Sequence, residues 1–150
     1  MSDQDHIFMQ AAMEEAKKAA LNGEVPIGAV LVANGEIVAR SGNATILNSD
    51  PTAHAEINVI RDRCKQVGAQ RIPDHDLYVT LEPCAMCAAA IAFARVRKLV
   101  FAASDPKGGG VLHGGKFFEQ PTCHHKIDVA NGTLSEECGV MLKEFFAAKR

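Results

Sequence analysis

The stretch that decides the fold is Leu77-Tyr78-Val79-Thr80-Leu81-Glu82-Pro83-Cys84-Ala85-Met86-Cys87-Ala88-Ala89-Ala90-Ile91, followed by KLVFA at 98–102. LYVTL (77–81) reads as a short buried strand. Pro83 opens an alanine-rich helix that runs to about Ala94, and KLVFA is a second buried strand. Two apolar strands joined by a helix form a parallel crossover, and a parallel pair is stable only when helices cover the sheet. The fold class that follows is α/β.

Outward from this unit the chain alternates in the same way. Residues 4–21 carry Ile7, Phe8, Ala11, Ala12, Ala16, Ala19 and Ala20 at helical spacing, with Gly23 as the stop. IGAVLVA (27–33) and EIVARS (36–41) flank Asn34-Gly35, a strong hairpin signal. Asp50-Pro51 predicts the start of a helix, Asp as N-cap and Pro at the first helical position, running to about Cys64. Residues 104–125 are irregular, and the glycines at 108–110 and 114–115 predict a mobile loop. A short strand is expected at 127–130, then a helix to the C-terminus capped by Thr133 and Glu136. Repeats and low-complexity tracts are lacking, so one domain over 1–150 is expected.

Composition narrows the function classes. Of 150 residues, 47 % are hydrophobic and 23 % charged, and the net charge is −2. A disordered chain and a polybasic one are both excluded. The longest apolar stretch lies between Glu82 and Arg95, too short for the roughly 20 residues a bilayer requires. Asp3 and Asp5 stand where a signal peptide carries basic residues. Cys64, Cys84, Cys87, Cys123 and Cys138 then read as thiols or ligands in a cytoplasmic compartment.

Two motifs carry the chemistry: His54-Ala55-Glu56 and Pro83-Cys84-Ala85-Met86-Cys87. Each follows a proline helix-start signal, which places His54 and the two cysteines where free N–H groups and the helix dipole favour anions. Taken alone, the cysteine pair fits a structural half-site or a redox couple, and HxE fits a solvated helix start. Together, two thiolates and an imidazole point to zinc. Three protein ligands with no obvious fourth leave a position for water, the mark of a catalytic site. Two thiolates neutralise the ion, so a base beside the water is needed, and Glu56 is the candidate. Residues two apart on a helix diverge by about 200°. His54 and Glu56 can therefore share a site only if the helix points its end at it. Cys64, Cys123 and Cys138 read as packing residues, and His124 and His125 as loop residues. Glu82 reads as a supporting or exposed group, not a second acid.

The HAE…PCxxC pattern resembles that of the zinc-dependent cytidine and purine deaminases. VPIGAVLV (25–32), GNATILNSDP (42–51), DPTAHAEI (50–57) and LYVTLEPCAMCAAAI (77–91) are similar to the bacterial tRNA adenosine deaminases of the TadA type, and the likeness extends to FFAAKR (145–150). The resemblance implies three layers, α-β-α, around a mixed five-stranded sheet of the cytidine-deaminase kind. It implies one Zn²⁺ per subunit on His54, Cys84 and Cys87, with Glu56 moving protons during conversion of adenosine to inosine at the wobble position, adenosine-34, of a tRNA anticodon stem-loop. It also implies a homodimer. Asn43 and the backbone of Ala55 would contact the base, with Val30 and Pro26 lining its pocket.

Residues 95–126 contain Arg95, Arg97, Lys98, Lys107, Lys116 and Lys126 against Asp105 and Glu119, a locally basic stretch suited to phosphates. Lys107 is an expected RNA contact on this ground, and Lys149 and Arg150 are others, though these two equally suit a helix C-terminus; that Asp105 also meets RNA is what the resemblance implies. The same zinc chemistry serves small-molecule deaminases of guanine, cytosine or nucleosides. A non-catalytic zinc-stabilised module would instead need a fourth protein ligand.

Overall fold

In the computed structural model, which describes residues 2–149, Asn34 and Gly35 have φ of 53° and 76°. Two left-handed residues in succession make the tight turn of the expected hairpin. It joins β1 (Gly28–Ala33) to β2 (Glu36–Gly42). The remaining strands are β3 (His75–Leu81), β4 (Lys98–Ala103) and β5 (Asp128–Asn131). Four helices accompany them: α1 (Asp3–Leu21), α2 (Ala55–Val67), α3 (Ala85–Phe93) and α4 (Ser135–Ala148).

The sheet order is β2-β1-β3-β4-β5. β1 is antiparallel to both β2 and β3, whereas β3, β4 and β5 run parallel. The parallel crossover read from 77–102 is the pair β3/β4 with α3 between them. Side chains alternate across the sheet. Leu31, Leu77, Val79, Leu99 and Phe101 pack with Val59, Ala88 and Ile91 of α2 and α3. Val30, Val32, Tyr78, Val100 and Ala102 pack with Phe8, Met9 and Ala12 of α1 and Cys138 of α4. The result is the expected three-layer α-β-α arrangement around a mixed five-stranded sheet. Each fully buried large side chain, such as Phe101 or Met9, contributes about 1.5–3 kcal/mol.

α1 lies unusually near the sheet because Gly28 and Gly42 are register partners. A Cβ on Gly28 would stand 2.0 Å from the Ala12 carbonyl oxygen and 2.5 Å from the Ala16 nitrogen. A Cβ on Gly42 would stand 2.6 Å from the Glu15 carbonyl oxygen. Ala12, Ala16 and Ala19 on the helix complete a contact between backbones.

Two helix starts differ from expectation. Asp50 does not cap α2: its Oδ1 accepts from Thr52 N at 2.9 Å and Thr52 Oγ1 at 2.8 Å, closing a local turn. The N-cap is His54, and the helix begins at Ala55. At the other end of the chain the residue before α4 is Leu134, left-handed at φ 57° and without a side-chain cap bond, so Thr133 is not the N-cap. Among the described residues no helix is long and apolar enough to cross a membrane.

Gly28→Ala is expected to destabilise the protein by about 1–3 kcal/mol, because backbone atoms of α1 must move aside. Urea unfolding followed by circular dichroism measures it.

Candidate active site and metal centre

The site forms at the sheet edge where β3 and β4 end and β1 begins. His54 precedes α2 with φ −71° and ψ 154°, and Cys84 precedes α3 with φ −71° and ψ 174°. Both are N-cap residues in extended conformation, yet neither uses its side chain to cap its helix. The two side chains turn to each other instead. His54 Nδ1 lies 3.7 Å from Cys84 Sγ and 3.5 Å from Cys87 Sγ. Together these three residues form a group that could hold a metal ion. The helix does present its end to the site, because His54 lies outside α2 and Glu56 in its first turn.

Glu56 is only 4 % exposed. Burial, reinforced by the charge on Cys84, pushes its carboxyl up to about 7. Cys84 is held down to about 5, chiefly by a hydrogen bond from Cys87 and then by backbone N–H groups of its helix start. Cys87 is raised, first by that same bond and then by burial.

A cavity of about 210 Å³ opens beside these groups, lined by Ile27, His54, Glu56, Leu81, Glu82, Cys84, Asp105 and Gly108. The structure brings His54, Glu56, Cys84, Cys87 and Asp105 together as expected. It does not bring Val30: strand alternation turns this side chain to the opposite face, among Phe8 and Met9. Pro26 is not a lining residue either; Ile27 takes that place. The Ala55 N–H is engaged, donating to Asn43 Oδ1 at 3.0 Å. Asn43 thereby supplies the helix-start bond that His54 does not make. Its amide nitrogen has no hydrogen bond among the described residues.

The basic stretch separates in space. Arg95, Arg97 and Lys98 sit where β4 begins, the far end from the cavity. Arg97 Nε pairs with Asp76 at 3.0 Å, and Lys98 lies 3.9 Å from Asp5. Lys107 is the basic residue of this stretch that reaches the site's rim. Lys149 rests over the Phe145 ring at 5.2 Å, and Arg150 lies outside the described residues. Cys64 packs against the core and Cys138 is buried. Cys123 donates to the His125 carbonyl, whose ring in turn meets the Val96 carbonyl at 2.7 Å.

Sequence reading missed one buried carboxylate, Glu24, and left a second, Glu82, open between a supporting and an exposed group; the structure makes it the buried, supporting one. Glu24 accepts from Ile46 N at 3.0 Å and Leu47 N at 2.8 Å. Glu82 accepts from the 105–113 segment, which is ordered against it and is not the expected mobile loop. The available signal was position: Glu82 directly ends a buried strand and precedes a proline, leaving it no route to solvent.

Two helix ends, a soft-donor triad able to hold a metal ion and a buried carboxylate beside it define a candidate hydrolytic centre. The family model described as MafB19-like deaminase matches residues 2–150. A tRNA-specific adenosine deaminase of Agrobacterium fabrum is 55 % identical over 150 residues, covering 100 % of this chain and 98 % of the relative. Its counterpart in Bacillus subtilis is 50 % identical, covering 98 % and 91 %. A solved structure from studies of A-to-I editing by tRNA:A34 deaminases at the wobble position superposes with a TM-score of 0.89 at 57 % identity, covering 91 % of this chain and 99 % of that one. Guanine deaminase of Bacillus subtilis gives a TM-score of 0.66 at 32 % identity, covering 99 % and 94 %. The chain belongs to the tRNA-specific adenosine deaminase family.

Asn43→Ala is expected to cost about 1 kcal/mol through loss of the bond to the Ala55 N–H, whereas Asn43→Asp keeps the acceptor and the stability. Thermal unfolding of the two variants separates them.

Proposed function

We infer that this chain is a zinc-dependent hydrolase converting adenosine to inosine at the wobble position of a tRNA anticodon. The observation that carries this is His54 Nδ1 within 3.7 Å of both thiols, with the buried Glu56 beside them. The donor set fits zinc. A tetrahedral ion about 2.3 Å from sulfur and about 2.0–2.1 Å from nitrogen sets such donors about 3.6 Å apart. Two sulfurs and an imidazole select it over magnesium or calcium. Three ligands leave a vertex for water or substrate.

Zinc, when bound, supplies a Lewis acid that lowers the pKa of water and yields a nucleophile near neutral pH. The chain supplies the rest. Glu56 accepts one proton from the attacking water and passes it to the ring nitrogen, then takes the proton of the new C6 hydroxyl and passes it to the leaving amine as the C6 carbonyl forms. Water adds at C6, the C6–N6 bond breaks, and inosine and ammonia leave. Burial of Glu56 keeps solvent from competing for these protons. Asn43 offers its amide nitrogen to the base edge, and Ile27 and Leu81 supply the apolar walls. A base inside a cavity this small must be unstacked from its neighbours and flipped in. Asp105 and Lys107 at the rim are proposed RNA contacts, as are Lys149 and, outside the described residues, Arg150. A cytoplasmic homodimer with one catalytic domain over residues 1–150 and one zinc per subunit completes the reading.

The likeness to guanine deaminase keeps a free-base substrate in the test. Zinc-loaded protein given a tRNA with adenosine at the wobble position is expected to form inosine, with no turnover of free guanine, cytosine or adenosine. Free-base turnover without inosine formation overturns the RNA reading. Glu56→Ala is expected to retain one zinc per chain and lose about 10²–10⁴-fold in rate. His54→Ala is expected to lose the zinc, read by metal analysis. Zinc lost from Glu56→Ala would make Glu56 a ligand and overturn its role.

A further inference from the structure

The Glu82 side chain is wholly covered, and its carboxylate is surrounded by donors from a single segment. Oε1 accepts from Asp105 N at 3.0 Å and meets His113 Nδ1 at 2.8 Å. Oε2 accepts from Val111 N at 3.1 Å, Leu112 N at 2.9 Å and His113 N at 3.2 Å. One side chain therefore ties down both ends of residues 105–113. Between those ends the segment closes on itself. Asp105 Oδ1 accepts from Lys107 N at 3.2 Å and Gly108 N at 2.9 Å, and the Asp105 carbonyl accepts from Gly109 N at 2.8 Å.

The fit is close enough to require glycine. A Cβ on Gly109 would lie 2.3 Å from Glu82 Oε2, and one on Gly110 would lie 2.6 Å from Ala85 N. A run of glycines loses much conformational freedom when fixed, so an ordered GGG segment needs a strong tether. A carboxylate accepting several N–H bonds away from water is such a tether. The held segment faces the substrate side. Asp105 and Gly108 line the cavity with His54 and Glu56. Asp105 and Lys107 also line the adjoining groove of about 620 Å³ that runs along α4.

We propose that Glu82 is a positioning residue: it fixes residues 105–113 as a preformed wall at the mouth of the active site, so that Asp105, Lys107 and Gly108 stand in place before the nucleotide arrives. This rests on the deaminase reading above. Although Glu82 borders the cavity, its carboxylate is wholly covered and committed to the 105–113 segment, so it acts through those residues. Its removal should weaken substrate capture more than the chemical step, because His54 and Glu56 are held at the start of α2 and Cys87 within α3.

Glu82→Gln tests this. The amide replaces an acceptor by a donor facing N–H groups, at nearly constant volume. The expected result is one zinc per chain, KM for an anticodon stem-loop raised at least tenfold, kcat lowered less than threefold, and trypsin cleavage after Lys107 at least tenfold faster. KM within twofold of wild type, loss confined to kcat, zinc loss matching the activity loss, or unchanged cleavage at Lys107 would each overturn it. Should Glu82→Gln not fold, His113→Ala removes one bond of the same set and is read identically, with a threefold rise in KM expected. Wild-type protein yielding no inosine would sink the deaminase reading alone. The Lys107 cleavage comparison tests the tether independently of any substrate.

Discussion

The site depends on one constraint of the sheet: β1 runs against β3 and β4. The end of β3, the end of β4, the start of β1 and the end of β2 therefore meet along a single edge. α2 and α3 both begin at that edge. Their first turns bring unpaired N–H groups and positive dipole ends to the same place, which favours thiolate and carboxylate there. The two residues best placed to cap those helices, His54 and Cys84, do not do so. Their side chains are turned into the site, and Asn43 from the end of β2 meets the Ala55 N–H in place of His54. Function and helix capping compete for the same two positions, and a neighbouring strand settles part of the conflict.

Three buried glutamates at this edge show how environment separates roles. Glu82 is held below the ordinary carboxylate range: burial opposes its charge, but hydrogen bonds from Asp105, His113, Leu112 and Val111 outweigh burial. Glu24 likewise receives backbone N–H groups from Ile46 and Leu47. Glu56 has no comparable set of donors, and burial drives its carboxyl upward. A carboxylate surrounded by N–H groups is locked as an anion and works as an anchor. One left with few donors, beside the triad, can exchange a proton. Glu82 and Glu56 thus divide into a fixture and a reactive group by how many donors meet a buried carboxylate, with the charge on Cys84 adding to the difference.

Most elements were legible because their signals are local. Strand alternation, the Asn34-Gly35 turn and the alanine spacing of α1 each lie within a few neighbouring residues. The metal triad was legible because chemistry limits which side chains hold a soft ion, and HxE with CxxC leaves few other partners. What failed needed a third dimension. Val30 belongs to the right strand but the wrong face, and the correct wall residue, Ile27, is outside the strand's regular alternation. Asp50 carries a good capping side chain that is satisfied two residues on, within its own turn. The 104–125 segment resembles a free loop in composition, since nothing near it in sequence discloses that a glutamate more than twenty residues earlier holds its 105–113 part.

Charge shows the same limit and bears on substrate. Read along the chain, residues 95–126 are one basic patch; in the fold they are two places. Arg97 and Lys98 are matched by Asp76 and Asp5 at the far end of β4, where they cannot steer a phosphate toward Glu56. Lys107 alone of that stretch rides on the wall that Glu82 holds. From this stretch the cavity's surroundings therefore gain a single placed lysine and no broad positive field, in a chain whose net charge is −2. A cavity of about 210 Å³ opening beside a groove of about 620 Å³ suits one enclosed base with neighbouring nucleotides along α4. A free base would fill the first space and make no use of the second. On the proposed reading, the shape of the rim is what separates a polynucleotide substrate from a small one.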